Sequence, residues 1–143
     1  MTAMPFPHTP VVAHVAESSS GARWSGRILS GLTVLFLAFD AVTKIARASF
    51  SVEGTVQLGY PASTVMPIGI ILLACLIVYV IPGTAPLGAI LLTGYLGGAI
   101  ATHVRVSNPL LTHELAPIYF AAALWAGLYL RDTRVRALVR SAR

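Results

Sequence analysis

Val65-Met-Pro-Ile-Gly-Ile-Ile-Leu-Leu-Ala-Cys-Leu-Ile-Val-Tyr-Val-Ile81 carries no charged side chain and no amide in seventeen residues. A helix needs about 20 mostly apolar residues to cross a bilayer, within a range of about 17–25. The run ends at Pro82-Gly-Thr-Ala-Pro86, a turn that leaves room only for a helical hairpin connection. A second apolar run, Leu87 to Val104, follows at once. Before this pair lies a run from Ile28 to Val42, with Arg27 and Lys44 as snorkelling ends. After it comes a run that finishes at Leu130. None alternates with the period of a strand, so a β-barrel is not expected. The reading is an all-α integral membrane four-helix bundle, with spans at about 26–44, 64–82, 86–105 and 109–131.

Composition agrees. The chain has 143 residues, one domain's worth, of which 56 % are hydrophobic and 10 % charged, with a mean hydropathy of +0.78. Soluble domains are about 25 % charged. These values exclude a disordered chain, a coiled coil and an ordinary soluble enzyme. The net charge is +5, but the cations flank apolar runs, which points to membrane topology rather than to nucleic acid. Arg23, Arg27 and the five arginines from Arg131 to Arg143 would share one side, against Lys44, Arg47 and Arg105 on the other. Seven against three puts both termini in the cytoplasm, an N-in/C-in arrangement. The same arginines would also support an anionic-lipid patch.

Residues 1–22 are rich in Pro, Ser, Thr and His and read as a disordered cytoplasmic tail, with the bundle at 23–135 and a basic tail at 136–143. Ala46-Arg47-Ala48 has the small-x-small form of a cleavage site, but Asp40 and Lys44 separate it from the apolar run. Asn108-Pro109 has the form of an N-cap followed by proline at the first helical position, which starts the last span there and places Pro117 inside it. A start at Ala116-Pro117 is the alternative, and it leaves a short helix. The connection 45–63 is either a plain linker or a short amphipathic piece, lying on the outer surface or folded back as a lid. Trp24, Tyr79 and Tyr129 are expected at the cytoplasmic interface as amphipathic rings. Cys75 is the single cysteine, so no intrachain disulfide forms, and it reads as a small hydrophobe.

Polar groups inside a span are costly, so their placement carries information. Asp40 and Lys44 stand four apart on one helix face and can pair. His103 and Arg105 close the third span, and His113 and Glu114 open the fourth. All six converge on the outer leaflet. They serve either as ion pairs that hold helix ends together or as a ligand site at the outer mouth. The ligand types suit zinc or iron, yet no motif such as H-E-x-x-H occurs and no metal is expected. No phosphate loop or nucleophile–base pair is present either. Gly94 and Gly98 form a G-x-x-x-G pair, read as a place where another helix approaches closely.

Four stretches carry a resemblance. They are Leu92-Thr-Gly-Tyr-Leu-Gly-Gly-Ala-Ile-Ala-Thr-His-Val-Arg105, Asp40-x-x-x-Lys44, Leu58-Gly-Tyr-Pro61 and Trp125-Ala-Gly-Leu-Tyr-Leu-Arg-Asp132. Over residues 25–135 the chain resembles the DoxX-like family. The resemblance implies a four-helix bacterial membrane protein and carries over Asp40, Lys44, His103 and Arg105. The family takes its name from a subunit of a thiosulfate:quinone oxidoreductase, so a quinone is the candidate cofactor. The expected function is an accessory, non-catalytic one: binding a small lipophilic or quinone-like molecule, or a partner subunit, at the outer-leaflet pocket. The alternatives are a membrane component of an oxidoreductase whose redox cofactor sits on a partner, and a structural scaffold. Besides the bilayer, a membrane or redox partner subunit and a second copy of the chain are the candidate partners.

Overall fold

The computed structural model describes residues 20–107 and 115–141. The described chain is all helical. In order come α1 (Ser20–Ile45), α2 (Ser49–Gln57), a 3₁₀ turn at Ala62–Thr64, α3 (Val65–Val80), α4 (Ala85–Arg105), α5 (Leu115–Arg131) and α6 (Thr133–Ser141). Three segments, Ser20–Ile45, Ala62–Val80 and Ala85–Arg105, are long and apolar enough to cross a membrane. The described part of α5 adds 17 apolar-rich residues. The expected start at Asn108-Pro109 lies outside the described residues, as do His113, Glu114 and residues 1–19. Two differences from the expected bundle stand out. Residues 20–22 already belong to α1, and the basic stretch after Asp132 is a helix rather than a tail.

Packing runs in a closed order: α1 touches α3 and α5, and α4 touches the same two from the opposite side. Three close approaches fix the directions. A Cβ on Gly69 of α3 would lie 2.8 Å from Lys44 Cβ, so the start of α3 meets the end of α1. A Cβ on Gly26 of α1 would lie 2.7 Å from Leu130 Cβ, so the start of α1 meets the end of α5. Gly88 of α4 backs directly onto the main chain of Tyr79 at the end of α3. Neighbouring helices are therefore antiparallel. Small residues at these seams let backbones approach, which is how helices associate where lipid removes the hydrophobic driving force.

The core holds Leu37 and Ala41 of α1, Leu72 and Tyr79 of α3, Leu92 of α4 and Leu124 of α5, among others. The outward faces are equally apolar: Leu32, Leu35 and Phe39 on α1, Ile70 and Ile77 on α3, and Ile90 on α4 are exposed. A helix apolar all round must be buried in protein or in lipid. The bundle interior takes one face, and hydrocarbon suits the other.

Tyr79, near the end of α3, faces the bundle interior. It is 0 % exposed, wedged among α1, α3 and α5. Its hydroxyl donates to the Leu124 carbonyl oxygen at 2.9 Å and shares a 3.0 Å hydrogen bond with Ser30 Oγ. The Arg131 guanidinium stands 4.9 Å from the ring centroid. A tyrosine near the end of an apolar run looks like an interfacial anchor in sequence, but here the hydroxyl finds protein partners and the ring turns inward.

A candidate ligand cavity at the polar end of the helices

Asp40 and Lys44 form an ion pair one helical turn apart on α1. The spacing puts both side chains on one face, and the low polarity around them favours pairing. The pair borders a cavity of about 490 Å³ among α1, α3, α4 and α5. Phe36 of α1 and Phe120 of α5 stack at 4.6 Å and form part of its apolar wall. Tyr95, Thr102 and His103 of α4 also line it.

The connection 45–63 folds back over this cavity. Helix α1 ends in a Schellman turn, in which Ala48 N bonds Thr43 O and Arg47 N bonds Lys44 O, with Arg47 at φ 54°. Helix α2 ends the same way. Tyr60 N bonds Thr55 O, Gly59 N bonds Val56 O, and Gly59 takes φ 81°. Glycine suits this position because the left-handed conformation costs other residues a Cβ clash. Space also limits it, since a Cβ there would lie 3.2 Å from Arg105 Nη2. The two turns lay α2 across the helix ends, where Ser51 Oγ donates to Thr43 Oγ1 at 3.1 Å. Thr55, Leu58 and Tyr60 thereby join the cavity lining. Of the readings for this connection, the structure has the folded-back one.

Arg105 is the latch of this roof. Its Nη2 donates to the Leu58 carbonyl at 2.7 Å, and its Cζ lies 5.5 Å from the centre of the Tyr60 ring. The Tyr60 hydroxyl meets Thr102 Oγ1 at 3.0 Å. Thr102 already gives its hydrogen to the Gly98 carbonyl at 2.9 Å, so Tyr60 is the donor to Thr102. Tyr60 keeps acceptor capacity, and the Lys44 ammonium has three donors, of which one goes to Asp40. Among the described residues no group of three His, Cys, Asp or Glu side chains is arranged to hold a metal.

The expected polar set is thus divided. Asp40, Lys44 and His103 border one cavity, whereas Arg105 turns away to the roof. His113 and Glu114 lie outside the described residues.

Gly94 and Gly98 depart from the expected helix contact. Among the described residues a Cβ on either meets nothing within 4 Å, so no described helix packs on them, and both border the cavity. The close contacts fall instead on Gly26, Gly69, Gly88 and Gly127. Tyr60, Thr102, Phe36 and Phe120 are not among the site residues that sequence singles out. Two stretches hold local signals: Leu58-Gly-Tyr-Pro61, whose glycine marks a turn that aims Tyr60, and residues 92–105, which contain Thr102 beside His103.

The fold and the cavity define a small helical membrane protein with a roofed, mainly apolar pocket that carries a few polar groups near one end of its helices. The DoxX-like family model matches residues 28–127, and the chain belongs to that family. The match runs from α1 into α5 and stops short of α6. No curated protein and no solved structure matches the chain.

Proposed function

We propose that the chain is a four-span protein of the bacterial cytoplasmic membrane, with both termini inside, which holds a small lipophilic molecule in the roofed cavity at its outer mouth. Its role is accessory, and a quinone is the first ligand to test. The observation that carries this reading is the cavity itself. Its volume of about 490 Å³ falls within the roughly 300–1,000 Å³ usual for small-molecule sites. Apolar walls with a few convergent polar groups suit a ring bearing carbonyl oxygens. Lys44 would donate to one such oxygen, and the hydrogen-bonded Tyr60 and Thr102 also line the cavity. A purely structural ion pair needs no cavity beside it.

Native mass spectrometry of the detergent-solubilised protein, with organic extraction of what it retains, tests the reading. The wild type should hold one small lipophilic molecule per site. Gly98→Leu should lose it, because the new side chain projects into the cavity without meeting another helix. Its melting temperature should stay near that of the wild type. Gly88→Leu is the contrast: it drives a side chain into Tyr79 and should cost about 1–3 kcal/mol, the usual range for overpacking. A wild type that retains nothing, or a Gly98→Leu protein that retains as much, would overturn the assignment.

The proposed orientation has its own measurement. A cytoplasm-active reporter fused after Arg143 should work, and a periplasm-active one should work when inserted near Gln57. The reversed pattern would invert the bundle. An external reporter active at both positions would mean three spans.

A further inference from the structure

We infer that α6 and the helix ends beside it form a binding surface for anionic phospholipid headgroups. The first observation is the face pattern of α6. Val135, Leu138 and Val139 recur at three- and four-residue spacing and share one side of the helix. Val135 is buried with the bundle core, which fastens α6 to the end of α5. Leu138 and Val139 remain 67 % and 45 % exposed. Arg134 and Arg136 flank this apolar side, and Arg140 lies beyond it.

The second observation is how the chain reaches this helix. Asp132 ends α5, and its Oδ1 accepts the Arg134 N–H at 2.8 Å, so α6 begins as a new capped helix rather than as a continuation. The preceding residue, Arg131, lies against Tyr79. Helix α6 therefore sits at the level where the membrane helices stop. A short basic helix with an apolar side at that level has the form that lies in a bilayer interface.

Charge supplies the third. At this end of the bundle stand Arg23, Arg27, Arg131, Arg134, Arg136 and Arg140, opposed among the described residues by Asp132 alone. At the opposite end Lys44, Arg47 and Arg105 are opposed by Asp40 and Glu53. Guanidinium groups bind phosphate oxygens with two parallel hydrogen bonds, and a phosphodiester headgroup presents two such oxygens. The positive-inside rule accounts for arginines at this end, but a topology signal needs no apolar stripe between them. Helix α6 has one, in Val135, Leu138 and Val139. The family match ends at residue 127, before α6 begins. This surface is independent of what occupies the cavity.

The test uses the full chain in a mild neutral detergent, titrated with phosphatidylglycerol or with phosphatidylcholine of the same acyl chains and read by native mass spectrometry. Phosphatidylglycerol should be retained far more strongly than phosphatidylcholine, and less as salt rises. The triple variant R134Q/R136Q/R140Q should bind phosphatidylglycerol about a hundredfold more weakly, because each arginine near an anionic surface contributes about a fivefold factor. The triple lysine variant keeps the charge and should retain most of the affinity. Equal retention of the two lipids by the wild type would overturn the inference. So would a glutamine variant that binds as the wild type does, or an acidic peptide that binds α6 while phosphatidylglycerol does not. If the glutamine variant fails to fold, the wild-type comparison of the two lipids across salt still decides the matter.

Discussion

Tyr79→Ala is expected to lose about 3–5 kcal/mol of stability in detergent, the range for truncating a large buried aromatic side chain. The ring is 0 % exposed and stands where α1, α3 and α5 meet, with Gly88 of α4 closed against its main chain. No small side chain refills that volume, because the bundle is pinned on both sides by close backbone contacts. Tyr79→Phe separates packing from hydrogen bonding. Interhelical hydrogen bonds in membrane proteins average about 0.6 kcal/mol, so losing the bonds to Ser30 and Leu124 should cost only about 1 kcal/mol. Thermal or denaturant unfolding of the two variants measures both numbers. If Phe costs as much as Ala, the hydroxyl network and not the ring holds that end together, and the packing account fails.

Asp40→Ala should cost more than the double variant Asp40→Ala, Lys44→Ala. Breaking one side of a buried ion pair costs about 3–5 kcal/mol because it strands the other charge, whereas removing both groups is often close to neutral. Asp40 keeps 35 % of its side-chain surface open, so the single loss should fall near about 2–3 kcal/mol. Lys44 is the more enclosed partner at 18 %, which limits its escape toward the headgroups. Unfolding of both single variants and the double variant closes the cycle. Additive losses would mean that the two groups do not interact, and Asp40 would then be held for a ligand. A coupled cycle together with loss of the retained small molecule in Asp40→Ala would show the pair acting as part of the cavity.

Both expectations show how legibility differed along the chain. The Asp40–Lys44 pairing follows from a spacing of four on a helix, and local geometry decides it without help from the rest of the fold. The inward turn of Tyr79 depends on Ser30 and Leu124, which are 49 and 45 residues away. No local rule reaches that far. Arg105 is similar: it reads as a member of the polar set, but Leu58 O and the Tyr60 ring claim it.

Sequence by itself determined the helical class, the turns at Pro82–Pro86 and the family, because a bilayer admits few ways to satisfy the backbone and long apolar runs declare them. It also determined that α1 carries an ion pair. Tertiary structure alone decided which side of each helix faces the bundle. A helix that meets lipid on one side and protein on the other is apolar on both, so periodicity carries no sign of the interior. That is why Gly94 and Gly98 read as a helix contact and border a cavity, while Gly26, Gly69 and Gly88 make the contacts. A glycine pair looks the same whether another backbone or empty space stands opposite, and only the arrangement of the neighbouring helices tells the two apart.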